Sequence, residues 1–274
     1  MPMSGDTRDR VSQFSRLTNR WAAPVAVLLL VIVAWDLVVR IGKIHPIIFP
    51  GPLAVAEAAW KLRSDLLSAV GRTSLAAATG LVISIIAGTS LAFLFSQSAM
   101  IRRALFPYAV LLQTVPIIAI APIVIVSFGR GFFSVALVSS VISLFPIVTN
   151  TTTGLLQIDP NLLDLFRLNS ATRWQTLWKL RLPSSLPFLL AGIRIACGSA
   201  IVGAIVGEFF VGSGQPGLGA MIQRKSASLD LADLYATVLT STLLGTLAFG
   251  AVAVLGDVIL RRWFGRADSE RSEV

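Results

Sequence analysis

The sequence predicts an all-α integral membrane protein of about six transmembrane helices, and three observations carry that expectation. Of 274 residues, 55% are hydrophobic and only 14% charged, against about 25% charged in soluble domains. The apolar residues are gathered into separate runs, each near the roughly 20 residues that a helix needs to cross the hydrocarbon. The basic residues sit between those runs, mostly at alternate connections, as an orientation signal places them.

The runs can be taken in order. A polar arm, residues 1–20, carries Arg8, Arg10, Arg16 and Arg20 ahead of a first span at about Trp21 to Val39. That run lacks a small-residue cleavage site, so it reads as a retained span. Asp36 marks its approach to the interface, and Pro46, Pro50 and Pro52 interrupt any helix beyond it. From Leu53 to Leu67, apolar residues at helical spacing alternate with Glu57, Lys61, Arg63 and Asp65, the pattern of a helix lying on the membrane surface.

The second span, about Thr73 to Phe95, is rich in Ala, Gly, Ser and Thr, which let helices approach closely in lipid. Arg102 and Arg103 close it. The third, about Ala104 to Phe128, holds Pro107, Pro116 and Pro122, so it is expected to be broken or kinked. Irregular backbone at that depth needs protein or a water-filled cavity beside it, which places this span next to a pathway, with Gln113, Thr114 and Pro116 as candidate lining residues. The fourth span, about Phe132 to Val148, follows a Gly129-Arg130-Gly131 turn, and a long connection runs from Thr149 to Pro183. The fifth, about Leu186 to Val211, contains Arg194 and Glu208, and the sixth covers about Ala236 to Leu260. The transmembrane domain is thus 21–262, followed by a tail at 263–274.

Fourteen of the 23 Lys and Arg fall on the side of the amino terminus, the tail and the two connections that match them, while eight fall opposite and Arg194 lies within a span. The richer side is the expected cytoplasm, with both termini there. This distribution, rather than the formal charge of +9, argues against nucleic acid as a partner.

The segment from Asp164 to Pro183 is too apolar for a solvated loop. Leu165, Phe166, Trp174, Leu177 and Trp178 fit short amphipathic helices separated near Asn169-Ser170, with Thr172 as a cap for the second. Aromatic side chains interleaved with Arg167 and Arg173 also suit a protein-docking surface. Packing on the chain's own spans is the alternative.

Those residues resemble a motif of the inner-membrane permeases of bacterial ABC importers: Glu-Ala-Ala, three residues, Gly, nine residues, Ile, one residue, Leu-Pro. Asp164, Leu165 and Phe166 occupy the Glu-Ala-Ala positions, Ser170 the Gly, Leu180 the Ile, and Leu182-Pro183 match outright. Ser170 departs from the motif, because serine lacks the easy left-handed conformation of glycine. Phe49-Pro50-Gly51-Pro52, Gln113-Thr114-Val115-Pro116 continuing to Phe128-Gly129, Asp159-Pro160 and Ala191-Gly192-Ile193-Arg194 are similar to the nitrate, sulfonate and taurine permeases. The resemblance covers about Ile48 to Trp263.

It implies the type I importer arrangement in the bacterial inner membrane. It further implies a pair of permease chains, cytoplasmic ATPases that bind the ATP, and an external solute-binding protein. The coupling segment, 160–183, would sit in a groove of the ATPase with Phe166, Arg167, Ala171 and Trp174 among its contacts. The family's usual solute is a sulfonate, taurine or nitrate, and vitamin-like heterocycles such as riboflavin or a thiamine pyrimidine precursor are the alternative. A stand-alone secondary transporter or channel would instead spread ionisable groups for ion coupling over several helices, and a scaffold would leave the broken third span unexplained.

The remaining polar residues point to no catalysis. His45 is the one histidine and Cys197 the one cysteine, read as a loop residue and a small core residue. No Gly-x4-Gly-Lys-Ser/Thr loop occurs, so ATP hydrolysis belongs to another chain and this chain is expected to bind no cofactor or metal. Gly212-Ser213-Gly214 reads as a turn. Arg194 and Glu208, charges within a span, are functional candidates. They lie about 21 Å apart along one helix, too far to pair.

Overall fold

The computed structural model describes residues 6–45, 47–211 and 217–271; Pro46 and the Gly212-Ser213-Gly214 turn lie outside the described residues. Eleven α-helices appear among the described residues. They are α1 (Asp6–Ile41), α2 (Pro52–Lys61), α3 (Arg63–Gln97), α4 (Ala99–Thr114), α5 (Ile117–Phe128), α6 (Phe132–Leu156), α7 (Pro160–Leu168), α8 (Arg173–Thr176), α9 (Leu182–Val211), α10 (Leu218–Ala227) and α11 (Leu231–Arg271).

Among the described residues, five stretches are long and apolar enough to cross a membrane: Ala22–Ile41, Arg63–Gln97, Phe132–Leu156, Arg173–Val211 and Leu231–Trp263. The sixth crossing is the broken pair α4 and α5. Ala92 near the end of α3 packs with Leu155 near the end of α6, so those two helices finish at the same end of the bundle. The chain between them must therefore return across it. The break falls at Val115-Pro116, where Pro116 has no N–H to continue the ladder.

The centre of the bundle is α6, sandwiched between α3, which runs parallel to it, and α9, which runs antiparallel. Ser139 on α6 meets both neighbours: a Cβ on Gly80 of α3 would lie 2.6 Å from the Ser139 Cβ, and one on Gly203 of α9 would lie 2.8 Å from the Ser139 Cα. Glycine at both positions lets the backbones approach to this distance. The contact is tied by hydrogen bonds: Ser139 Oγ donates to Ala200 O at 2.8 Å, and Ser84 Oγ donates to Ser140 O at 2.6 Å. Outside this trio, α11 packs on α9, and α1 is held mainly at its far end. There Trp35, Phe49 and Tyr235 form a cluster with ring centroids 5.7 to 6.2 Å apart.

Several expected boundaries move. The surface helix expected at Leu53 to Leu67 ends at Lys61, and the second span begins ten residues before Thr73. Leu62 leaves helical geometry at φ −89 and ψ 6, and Arg63 sits over the Trp60 ring, 4.9 Å from its centroid, donating to Trp60 O. Arg102 and Arg103 do not close the second span but lie within α4, whose start Ser98 caps through its hydroxyl. The fourth span continues to Leu156 because Thr149, Asn150 and Thr153 satisfy their polar groups on carbonyls one turn back.

A Gly203→Val variant should lose the α6–α9 contact, since the added side chain meets backbone rather than a movable group. Its melting temperature in detergent is expected to fall steeply or its monodisperse yield to vanish, whereas Gly245→Ala, which meets nothing within 4 Å, should behave as the parent.

Candidate functional site: the docking segment and the Glu208 junction

Between α6 and α9 the chain makes a short helical hairpin at one end of the bundle. Asp159 starts α7 by accepting from the Asn161 N–H at 2.9 Å, with Pro160 in the first turn, where its missing N–H costs nothing. The helix ends in a Schellman motif: Ala171 N–H donates to Phe166 O at 3.0 Å and Ser170 N–H to Arg167 O at 2.9 Å. Ser170 supplies the left-handed residue at φ 51. The chain thus adopts there the conformation that the motif glycine favours, with serine carrying a strain of about 1 kcal/mol or more.

Thr172 then caps α8 in a reciprocal box. Its hydroxyl accepts from Gln175 N–H at 3.2 Å while the Gln175 side chain accepts from Thr172 N–H at 2.8 Å. The second short helix is not separate from the fifth span. A π-helical turn, Leu177–Arg181, joins α8 directly to α9; Pro183 has no N–H for Lys179 O, and the ladder widens just before it. Leu182 and Pro183 accordingly stand in the first turn of α9.

The expected docking residues divide into two sets. Leu165, Leu168, Trp174 and Trp178 remain exposed, the two tryptophans at 68% and 63%. Phe166 is half-buried, and Arg167 is exposed beside Asp164 at 2.9 Å. Leu177 and Leu180, by contrast, are buried, Leu177 at 3% exposure against Ala92 and Leu155. They anchor the hairpin and cannot form part of its outward face. Arg181 also looks inward and donates to Ser96 O at the end of α3, 3.2 Å away. A pocket of about 470 Å³ beneath the hairpin is lined by Arg167, Ala171, Arg173, Thr176 and Arg181.

At the far end of α9, Glu208 is buried in a junction with α3 and α10. Its two carboxylate oxygens share the Thr73 hydroxyl proton, each at 2.9 Å, and Oε2 also accepts from Gly219 N–H at 2.9 Å. Thr73 Oγ1 in turn accepts from Leu218 N–H at 2.9 Å. The carboxylate and hydroxyl together satisfy the first two amides of α10, at the positive end of its dipole. Gly217 and Gly219 leave no room for a Cβ here: one on Gly217 would meet the Glu208 carboxylate, one on Gly219 the Ile205 carbonyl. Two turns on, Lys225 donates to Asp233 at 2.6 Å with Asp230 at 3.6 Å. The bond to Asp233 holds this ammonium above its ordinary range.

Arg194 donates to Asp257 Oδ1 at 3.0 Å and to Ala253 O at 3.2 Å, both on α11. Gln113, Thr114 and Pro116 lie exposed around the α4–α5 break. Cys197 is buried in α9, and His45 Nδ1 accepts from Ile47 N–H at 3.4 Å. Sequence reasoning missed Thr73 and Asp257. The signal was the charge of Glu208 and Arg194 themselves, since each needs a partner within the membrane.

Comparison with known proteins fits this geometry. Residues 80–266 match the family described as the binding-protein-dependent transport system inner membrane component. The chain belongs to this family. Among relatives of this permease, the formylaminopyrimidine transport permease protein ThiX of Halalkalibacterium halodurans is 34% identical over 86% of this chain and 94% of its own length. The riboflavin transport system permease protein RibX of Chloroflexus aurantiacus is 33% identical over 93% and 96%. The putative aliphatic sulfonates transport permease protein SsuC of Bacillus subtilis is 26% identical over 88% and 87%. An inward-facing structure of the MetNI methionine ABC transporter shares the fold, with a TM-score of 0.58 at 20% identity over 72% of this chain and 95% of that one.

Two outcomes check the site. Thr73→Val and Glu208→Ala should each lower the melting temperature in detergent, and the double variant should lose clearly less than the sum, because both remove one junction. Ser170→Gly should raise it slightly, by relief of the left-handed strain, while Ser170→Val should lower it.

Proposed function

We propose that this permease is the membrane-crossing subunit of an ATP-driven importer that carries a small heterocycle of the vitamin or vitamin-precursor kind from an external binding protein to the cytoplasm. One observation carries the mechanical half of the reading: the hairpin presents exposed Leu165, Leu168, Trp174 and Trp178 on a frame anchored by buried Leu177 and Leu180. Apolar side chains on a stiff, twice-capped element at the charged end of the bundle suit a cytoplasmic ATPase as partner. The basic residues at the same end support an orientation with both termini in the cytoplasm.

In the mechanism, closure of two ATPases upon ATP moves the hairpins of two permease chains. Each hairpin continues through the π turn into α9, so the movement passes to the spans rather than being absorbed in a loop. A difference in affinity of the ATPases and the binding protein for the inward and outward forms drives the exchange. At the opposite end, a pocket of about 580 Å³ lined by Asp65, Arg72, Arg224 and Lys225 offers a charged surface to the binding protein. Gln113 and Thr114, polar and exposed at the α4–α5 break, are the residues proposed to line the pathway. Arg194 and Glu208, engaged with Asp257 and with Thr73 and Gly219, serve as braces between helices.

The heterocycle reading rests on two of the relatives above 30% identity, those named for formylaminopyrimidine and riboflavin transport. A sulfonate is the second reading, supported by the more distant sulfonate permease.

Uptake of labelled formylaminopyrimidine, riboflavin, taurine, an alkanesulfonate and nitrate by a deletion strain, with and without the restored gene, separates the two. Rescue of heterocycle uptake is expected; rescue of taurine or sulfonate uptake alone would establish the second reading. Ala171→Pro removes the N–H that closes the Schellman motif on Phe166 and should abolish uptake while the chain still reaches the membrane. Parental uptake by that variant would refute coupling through the hairpin.

A further inference from the structure

At the docking-hairpin end of the bundle, α4 and α6 enclose a groove of about 380 Å³ that none of the transport chemistry uses. Its lining is Arg102, Arg103, Phe106, Pro107, Thr152, Thr153 and Leu156. The arrangement is graded by depth. Arg102 and Arg103 stand one turn past Ser98, where the chain reverses between α3 and α4, so they lie near headgroup level. Phe106 and Pro107 follow about 6 Å further along the helix, on the way into the hydrocarbon.

The charge of the groove is unbalanced. No carboxylate lines it, and neither arginine takes part in an ion pair among the described residues. Thr152, in its wall, is only 3% exposed, and its buried hydroxyl has no hydrogen-bond partner among the described residues. Two guanidiniums above an apolar floor match a phosphodiester with acyl chains beneath it, since guanidinium pairs readily with phosphate oxygens and basic pockets between spans attract anionic headgroups.

We infer that the α4–α6 groove is a binding site for an anionic glycerophospholipid, with Arg102 and Arg103 on its phosphate and Phe106, Pro107 and Leu156 along the first part of its chains. By the orientation proposed above, the lipid belongs to the cytoplasmic leaflet; the chemistry of the site depends neither on that orientation nor on the solute carried. A lipid wedged there would tie the first turns of α4 to the end of α6, and so steady the broken span against the centre of the bundle.

The test uses the full chain, delipidated in detergent and examined by native mass spectrometry with phosphatidylglycerol, phosphatidylcholine and glycerol 3-phosphate. Phosphatidylglycerol should bind on the order of tenfold more tightly than phosphatidylcholine, and glycerol 3-phosphate should fail to displace it. The Arg102→Gln/Arg103→Gln pair should lose that preference, while Arg261→Gln/Arg262→Gln, an equal charge change on α11, should keep it. Equal loss in both pairs would show diffuse surface charge, and displacement by glycerol 3-phosphate would show a simple anion site; either overturns the inference, as does the absence of any preference. A phosphatidylglycerol with a photoreactive group near the top of one chain tests the unmodified protein. Labelling is expected at Phe106, Pro107 or Leu156, and labelling only elsewhere would overturn the assignment.

Discussion

The bundle depends on how closely α6 can approach its two neighbours. In lipid, burying an apolar side chain gains little over leaving it among acyl chains, so helices associate through van der Waals contact and hydrogen bonds. Ser139 concentrates both: it fits against glycine on either side and gives its proton to the Ala200 carbonyl. The line of small residues continues along α3 through Ser84, Gly88 and Ala92 and along α9 through Gly192, Ala196 and Ala200. Larger residues there would push apart the frame on which the hairpin and the Glu208 junction are mounted.

The two ends use polar chemistry in opposite ways. At the hairpin, caps and a Schellman turn satisfy backbone groups locally, and the tryptophans stay exposed. At the Glu208 junction, the polar groups are turned inward and consume one another. A carboxylate taken out of water is costly unless donors surround it, and here the donors come from the start of α10 and from Thr73. The carboxylate therefore does for α10 what an N-cap side chain does for an ordinary helix, although it is borrowed from a different span.

Much of this was legible in the sequence because the membrane simplifies it. Run lengths gave the crossings, three prolines announced the α4–α5 break, and Thr172, as a residue type that caps helices, announced the start of α8. The errors have physical causes. Thr149, Asn150 and Thr153 look like a helix end, but in an apolar setting such residues bond back to their own helix and prolong it. Helical spacing groups Leu177 with Trp174 and Trp178, yet only tertiary packing against Ala92 and Leu155 decides which of them turns inward. Ser170 shows the converse: the motif position enforces a left-handed backbone even where its residue resists it. Partners such as Asp257 for Arg194 are distant in sequence and could be sought only by asking what neutralises a charge in a span.

The continuity from α8 through α9 has a consequence for how far a disturbance can travel. The stretch Arg173–Val211 counts 39 residues, a rod of roughly 58 Å at 1.5 Å per residue, and its ends carry Trp174 and Glu208. A tilt of only about 5° therefore sweeps one tip some 5 Å relative to the other. Were a partner to push on the hairpin, lever length alone would turn a small tilt of this stretch into a displacement close to a helical turn at the opposite face of the membrane.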